Sequence, residues 1–283
     1  MPQTTMETAL LRSLPRTEDC VIPGPFGPIA LRLHRPERQE QDLPMILYFH
    51  GGGFVGGSLD DADIPARFIA TYCPALVLAV AYALAPARPF PAAPEDAHTA
   101  ALWATANAAR LGADPRRLAV AGDDAGGNLA ACLSMMARDR NGPDISAQVL
   151  LAPMLDPSMT RLGDGDRLHS DLSAAACADY YRQYLPETRL RLHPYASPLS
   201  SVRQAGLPPA LIITAECDVL HAEAEKYASA LIAAGVPTQV LRAAGIKHAS
   251  LATDHATLVE VAHFLRRRLW PDDLAALCEH PPS

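Results

Sequence analysis

The chain has 283 residues, of which 49% are hydrophobic and 19% charged, and its formal net charge is −7. This length suits a single α/β unit able to bury a large core, and the balance excludes a disordered chain. An acidic chain without a long basic run is not expected to bind nucleic acid; its strongest basic cluster, "LRRRLW" at 265–270, is expected to end the last helix, where cations suit the helix dipole.

The opening "MPQTTMETALLRSLP" carries Glu7 and lacks a basic start followed by a sustained apolar centre, so it does not read as a signal peptide. The longest apolar run, about Ala75 to Ala85, is shorter than the ~18 residues of a membrane span. A cytoplasmic protein with no membrane partner is expected. Cys20, Cys73, Cys132, Cys177, Cys217 and Cys278 share no metal-ligand spacing. They read as free, buried thiols in a reducing cell, and no metal or cofactor is expected.

In chain order, "VIPGPFGPIALRLHRP" (21–36) sets turn residues between two extended runs and predicts an antiparallel hairpin. "PMILYFH" (44–50), "ALVLAVAY" (75–82) and "RLAVAG" (117–122) predict strands. The second is followed by the helical spacing of "PEDAHTAALWATANAARL", the third by a helix from about Ala125 to Arg138. "AQVLLAP" (147–153), "ALIITAE" (210–216) and "TQVLRAA" (238–244) are further strands. "AEAEKYASALIAAG" closes at Gly235, a helix-end glycine, and "TDHATLVEVAHFLRRRL" is a terminal helix. The alternation predicts a mostly parallel sheet with helices on both faces. Residues 156–208 are too long for a plain connection and predict a small helical insertion over the edge of the sheet.

Sites in such sheets lie beyond the carboxyl ends of the strands. After the first parallel strand stands His50-Gly51-Gly52-Gly53. Its glycines let backbone N–H groups face a pocket, where they can stabilise an oxyanion; a merely flexible turn would also hold such a run. "GDDAGG" (122–127) then sets Gly122 and Gly126 around Asp124 between strand and helix, which matches the G-x-S-x-G nucleophile elbow except at its apex. An aspartate tolerates the positive φ expected there, and the helix N-terminus beside it favours a negative charge. A plain helix cap explains an aspartate at a helix start, but not the flanking glycines. Asp218 in "AECDVL" and His248 in "GIKHASL" each follow a strand-like run, in the acid-then-histidine order of a charge relay.

At these residues the chain resembles the bacterial hormone-sensitive-lipase-like family of α/β-hydrolases, over roughly residues 20 to 270. "YFHGGGFVGGSLD", "YALAPARPFPAAPEDA", "DPRRLAVAGDDAGGNLAA", "LPPALIITAECDVLHAEAEKYA" and "GIKHASL" carry the likeness. It implies an α/β-hydrolase fold in a single domain over 1–283, with a short N-terminal cap segment of about 1–20 and the insertion of about 156–208. It implies that Gly52, Gly53 and Ala125 supply oxyanion N–H groups, that His248 is the base, that Asp218 orients it, and that residue 124 is the nucleophile. Family members mostly hydrolyse short acyl esters, need no metal and often form dimers, so a small, fairly apolar substrate or ligand and a homodimer are expected. The chain departs from the family pattern at Asp124, where serine is usual. It departs also at Ala81, Ala83 and Ala87, where Asp, Arg and Glu are usual, at Ala249, where glycine is usual, and in a shorter cap.

An aspartate has no hydroxyl proton to pass to a histidine, and its attack on an ester would form a mixed anhydride. Weak esterase activity is therefore expected, of the order left when a triad member is removed. Three other readings stay open. Asp124 can displace a leaving group from saturated carbon or open an epoxide, after which His248 activates water against the resulting ester. In that scheme His248, between two carboxylates, rests as imidazolium. Neither Trp103 nor Trp270 is a clear halide ligand, and Tyr180 and Tyr184 read as packing residues on helical spacing, although with Tyr181 they could face the pocket. A second alternative places a carboxylate oxygen of Asp124 in the oxyanion hole, paired with His248, in a silent ligand-binding protein. A third is an ordinary esterase into which the aspartate has been introduced.

Overall fold

A computed structural model describes residues 15–37 and 42–271. Eight strands form one sheet in the order β1-β2-β4-β3-β5-β6-β7-β8. They are β1 (Arg16–Gly24), β2 (Gly27–Arg35), β3 (Leu43–Phe49), β4 (Leu76–Ala81), β5 (Ala113–Asp123), β6 (Ala147–Leu151), β7 (Ala210–Cys217) and β8 (Thr238–Lys247). β1, β2 and β4 pair antiparallel; every other neighbouring pair is parallel. The hairpin at 21–36 is thus present but starts earlier. Residues 16–20 of the expected cap segment belong to β1, because Arg16 to Cys20 extend the pairing with β2 back to Arg35. The rest of that segment lies outside the described residues, apart from Pro15.

β3 and β6 are buried along their whole length, as parallel strands covered on both faces must be. Successive side chains point to opposite faces. Met45, Leu47 and Phe49 join one core with Ala97, Leu129 and Tyr227, while Ile46 and Tyr48 join the other with Ile69, Phe264 and Leu265. The helices supplying the first core are α2 (Ala92–Ala106), α3 (Ala125–Asp139) and α5 (His221–Ala233); α1 (Asp63–Tyr72) and α6 (His255–Leu269) supply the second. Each fully buried Leu, Ile or Phe contributes roughly 1.5–3 kcal/mol relative to exposure.

Two boundaries differ from expectation. The helical pattern through 111 breaks at Asn107, whose side-chain amide donates to the Trp103 carbonyl and competes with the helix ladder. β5 begins at Ala113, where a register shift lets Ala113 pair with Leu43; Pro115 and two arginines hide that extension in the sequence.

The insertion contains α4 (Ala174–Tyr184) with short helical turns around it. It lies over the carboxyl end of central strand β3, not over an edge of the sheet. Tyr184 is buried and stacks on Phe54, with ring centroids 3.9 Å apart, and the Phe90 amide donates to the Tyr184 carbonyl. The aromatic surface that Tyr181 and Tyr184 bury holds α4 in this place. Among the described residues, no helix is long and apolar enough to cross a membrane. Cys73, Cys132 and Cys177 are buried free thiols, while Cys20 and Cys217 are free and half-buried, short of the full burial expected.

Candidate active site

The site grows from a close crossing. α3 starts against the end of β3, and a Cβ on Gly126 would collide with the Phe49 carbonyl. Only a residue without a side chain lets the helix approach this far. The sharp turn leaves Asp124 at φ 52°, ψ −116°, an uncommon conformation for any residue with a side chain. The backbone clamps it: the Asp124 amide donates to Leu151, and its carbonyl accepts from Met154 at 3.1 Å.

Asp124 is 7% exposed and its two oxygens have different surroundings. Oδ2 accepts hydrogen bonds from the Gly52 amide at 2.9 Å and the Gly53 amide at 2.8 Å. Oδ1 has no hydrogen-bond partner and lies 3.6 Å from His248 Nε2. Gly52 and Gly53 have φ of 113° and 60°, which turn their N–H groups toward the carboxylate. Ala125 is the buried first residue of α3. His50 does not line the cleft. Its Nδ1 donates to the Gly51 carbonyl at 2.7 Å, its ring stacks on Tyr82, and the Tyr82 hydroxyl donates to the His50 carbonyl. His50 therefore braces the glycine loop from below, and burial lowers its pKa.

Asp218, fully buried after β7, is held by the Leu220 amide on Oδ1. Its Oδ2 accepts from His248 Nδ1 at 2.9 Å, which leaves Nε2 facing Asp124. Burial alone would lower the pKa of His248. The Asp218 hydrogen bond and the charges of Asp124 and Asp218 outweigh that and raise it to about 9, so the imidazole rests protonated at neutral pH. This is the direction expected for a histidine between two carboxylates.

The sequence reading missed several site residues. Asp123, beside Asp124, also lines the cleft. It accepts from the Tyr48 hydroxyl at 2.8 Å, and packing pushes its carboxyl up to about 7; the Asp-Asp doublet was the available signal. Tyr180 packs against the core, as its helical spacing suggests, but half-buried. It lines the cleft, and a Cβ on Gly53 would strike its ring. Tyr181 and Tyr184, with Cys177, are the buried members of α4. Asp61 and Asp171 stand at the mouth, from loops that have no periodicity to betray them. Ala83, where the family pattern has arginine, donates its amide to the buried Asp96, whose other oxygen lacks a partner.

The cleft encloses about 510 Å³, a size suited to a small ligand. Leu151, Ala152, Leu172, Leu251 and Ala252 supply its apolar lining. Asp124 and His248 both line the cleft, with Oδ1 itself covered and turned toward His248 Nε2.

A family model described as alpha/beta hydrolase fold matches residues 46–252. The chain is 40% identical over 253 residues to the esterase LipI of Mycobacterium tuberculosis, covering 84% of this chain and 78% of that protein. Its structure is similar to an esterase of the archaeon Pyrobaculum calidifontis, with TM-score 0.84, 37% identity and coverage of 93% and 87% of the two chains. It is also similar to EstE1, a carboxylesterase cloned from a metagenomic library, with TM-score 0.87, 35% identity and 95% of each chain covered.

Proposed function

The chain belongs to the α/β-hydrolase fold family, among its hormone-sensitive-lipase-like esterases, and from that membership we propose that it keeps the frame of a carboxylic-ester hydrolase around a nucleophile position that Asp124 disables. One observation carries the reading: the Gly52 and Gly53 amides both donate to Asp124 Oδ2. Those amides are the donors that would receive the oxygen of a tetrahedral intermediate. The carboxylate fills their place with a charge of its own, and His248 as imidazolium completes an imitation of the charged intermediate. An entering ester finds the hole taken and no neutral hydroxyl to attack it.

A serine at 124 would reverse both effects. Its Oγ attacks the ester carbonyl, its proton passes to His248 Nε2, and the carbonyl oxygen enters the vacated amide pair. The proton then returns to the departing alkoxide. The Asp124→Ser protein is expected to hydrolyse a short activated aryl ester at least about 10³-fold faster than the chain itself, by the scale on which such frames lose activity when the nucleophile goes. Equal, negligible rates would defeat the assignment.

One observation favours a second chemistry. Oδ2 is anchored by two amides, while Oδ1 accepts no hydrogen bond and faces His248 Nε2 at 3.6 Å in a residue that lines the cleft. Oδ1 can therefore displace a leaving group from saturated carbon: the O–C bond forms, the bond to the leaving group breaks, and the group departs with the electron pair. Loss of the Asp124 charge then lets His248 shed its proton and activate water against the new ester, whose carbonyl oxygen already faces the amides. The acidic lining opposes an anionic leaving group, so this reading stands second. Intact-mass measurement on His248→Ala exposed to alkyl halides and epoxides tests it: an adduct on Asp124 supports it, and none across the panel removes it.

A further inference from the structure

One buried acid takes no part in the chemistry above. Glu223 stands in the first turn of α5, fully buried. Its Oε1 accepts from the Leu155 amide at 2.6 Å, while Oε2 has no hydrogen-bond partner. The Asp156 carboxylate lies near enough to oppose a charge on it. A buried carboxyl with one bare oxygen costs stability that an apolar side chain of equal size would spare. What the acid adds over such a side chain is the bond to Leu155.

Leu155 belongs to the segment after β6 that clamps the elbow. The residue before it, Met154, donates its amide to the Asp124 carbonyl at 3.1 Å, and the Met154 carbonyl accepts from the Asn128 side chain of α3 at 2.7 Å. The first turn of α5 also governs the other side of the site. The Leu220 amide donates to Asp218 Oδ1 at 3.0 Å, and the Asp218 carbonyl accepts from His221 Nδ1 at 2.7 Å. One helical turn thus grips Asp218 through its start and the elbow through the Glu223 side chain.

We propose that Glu223 is a positioning residue: by holding the Leu155 amide it sets the distance between residue 124 and the Asp218–His248 pair. It touches neither the reacting atoms nor the cleft. Its effect on rate rests on the hydrolase reading above; its effect on the spacing of Asp124 and His248 does not. Burial pushes the Glu223 carboxyl up to about 8, so at neutral pH it is largely uncharged. Glutamine then copies its shape and its acceptor, whereas methionine copies its length without the acceptor and leaves the Leu155 amide unpaired.

The variants Glu223→Gln and Glu223→Met are both uncharged and differ in that one bond. In the chain itself, His248 followed by nuclear magnetic resonance is expected to titrate at least about 0.5 pH unit lower in Glu223→Met than in Glu223→Gln, because Asp124 drifts from the imidazole and its charge weighs less. In the Asp124→Ser background, Glu223→Met is expected to turn over the aryl ester with kcat at least about tenfold below that of Glu223→Gln and KM within about twofold, since alignment changes and the cleft does not. Both readings are taken far from the unfolding midpoint, where a loss of stability alone moves neither. Should Glu223→Met fail to fold, Glu223→Asp, which draws the carboxyl back by one methylene, takes its place in the rate comparison. Equal His248 titration, or equal kcat, in the compared variants overturns the proposal. An active Asp124→Ser protein whose kcat ignores residue 223 leaves the hydrolase frame standing and removes the role of Glu223. An inert Asp124→Ser protein, with His248 titration that still separates the glutamine and methionine variants, removes the hydrolase frame alone.

Discussion

At the scale of the residue, the proposed chemistry turns on one carboxylate. Asp124 is strained at φ 52°, yet two amides and an imidazolium surround it, and such interactions with an ionised group are worth about twice those between neutral partners. The same geometry shows why Asp218 matters. Its 2.9 Å bond fixes which nitrogen of His248 carries the inward proton. Within the Asp124→Ser background, Asp218→Asn is expected to lower kcat by roughly 10³–10⁴-fold with a much smaller change in KM, because the wrong tautomer is favoured while the cleft keeps its shape. Steady-state kinetics on the aryl ester would show this; an unchanged kcat would mean that Asp218 only fills space.

At the scale of the element, the site depends on how α3 meets β3. Gly126 touches the Phe49 backbone so closely that a methyl group has no room, whereas a methyl group at Gly235 would meet nothing within 4 Å. Gly126→Ala is expected to cost several kcal/mol, since backbone must shift. Gly235→Ala is expected to cost about 1 kcal/mol, from its left-handed conformation alone. Urea denaturation of the two variants checks the order. This crossing was legible in the sequence because glycines flanked the aspartate at fixed offsets, and the same holds for the His50–Gly53 run and for His248 after β8. What stayed hidden had no such local mark. Tyr180 faces the cleft and Tyr184 faces the core from the same helix, and the placement of that helix, over β3 and not over an edge, comes from aromatic packing between distant segments. Asp61 and Asp171 reach the mouth from loops, where sequence carries no period.

At the scale of the whole molecule, buried protons tie stability to pH. His248 titrates near 9 in the fold against about 6.5 when free. It therefore contributes stability that is complete below about 6.5 and lost as pH rises through 9, on the order of 3 kcal/mol at most. Glu223, fully buried against the Leu155 amide, is pushed by burial up to about 8; it too folds best when protonated and costs stability as pH climbs from about 4.5 to 8. Both act in one direction, so the urea midpoint is expected to fall between pH 6 and pH 9.5, and a midpoint that rose would contradict it. The His248 part of this dependence comes partly from its pairing with Asp124, and the titration of His248 by nuclear magnetic resonance, in the chain itself and in Asp124→Asn, reads that pairing directly. The account requires an imidazole that stays protonated to about pH 9 in the first protein and titrates at least about one pH unit lower in the second, where a neighbouring charge has gone. An imidazole that titrates at its ordinary value, or equally in both proteins, would show that the carboxylate of Asp124 does not hold it.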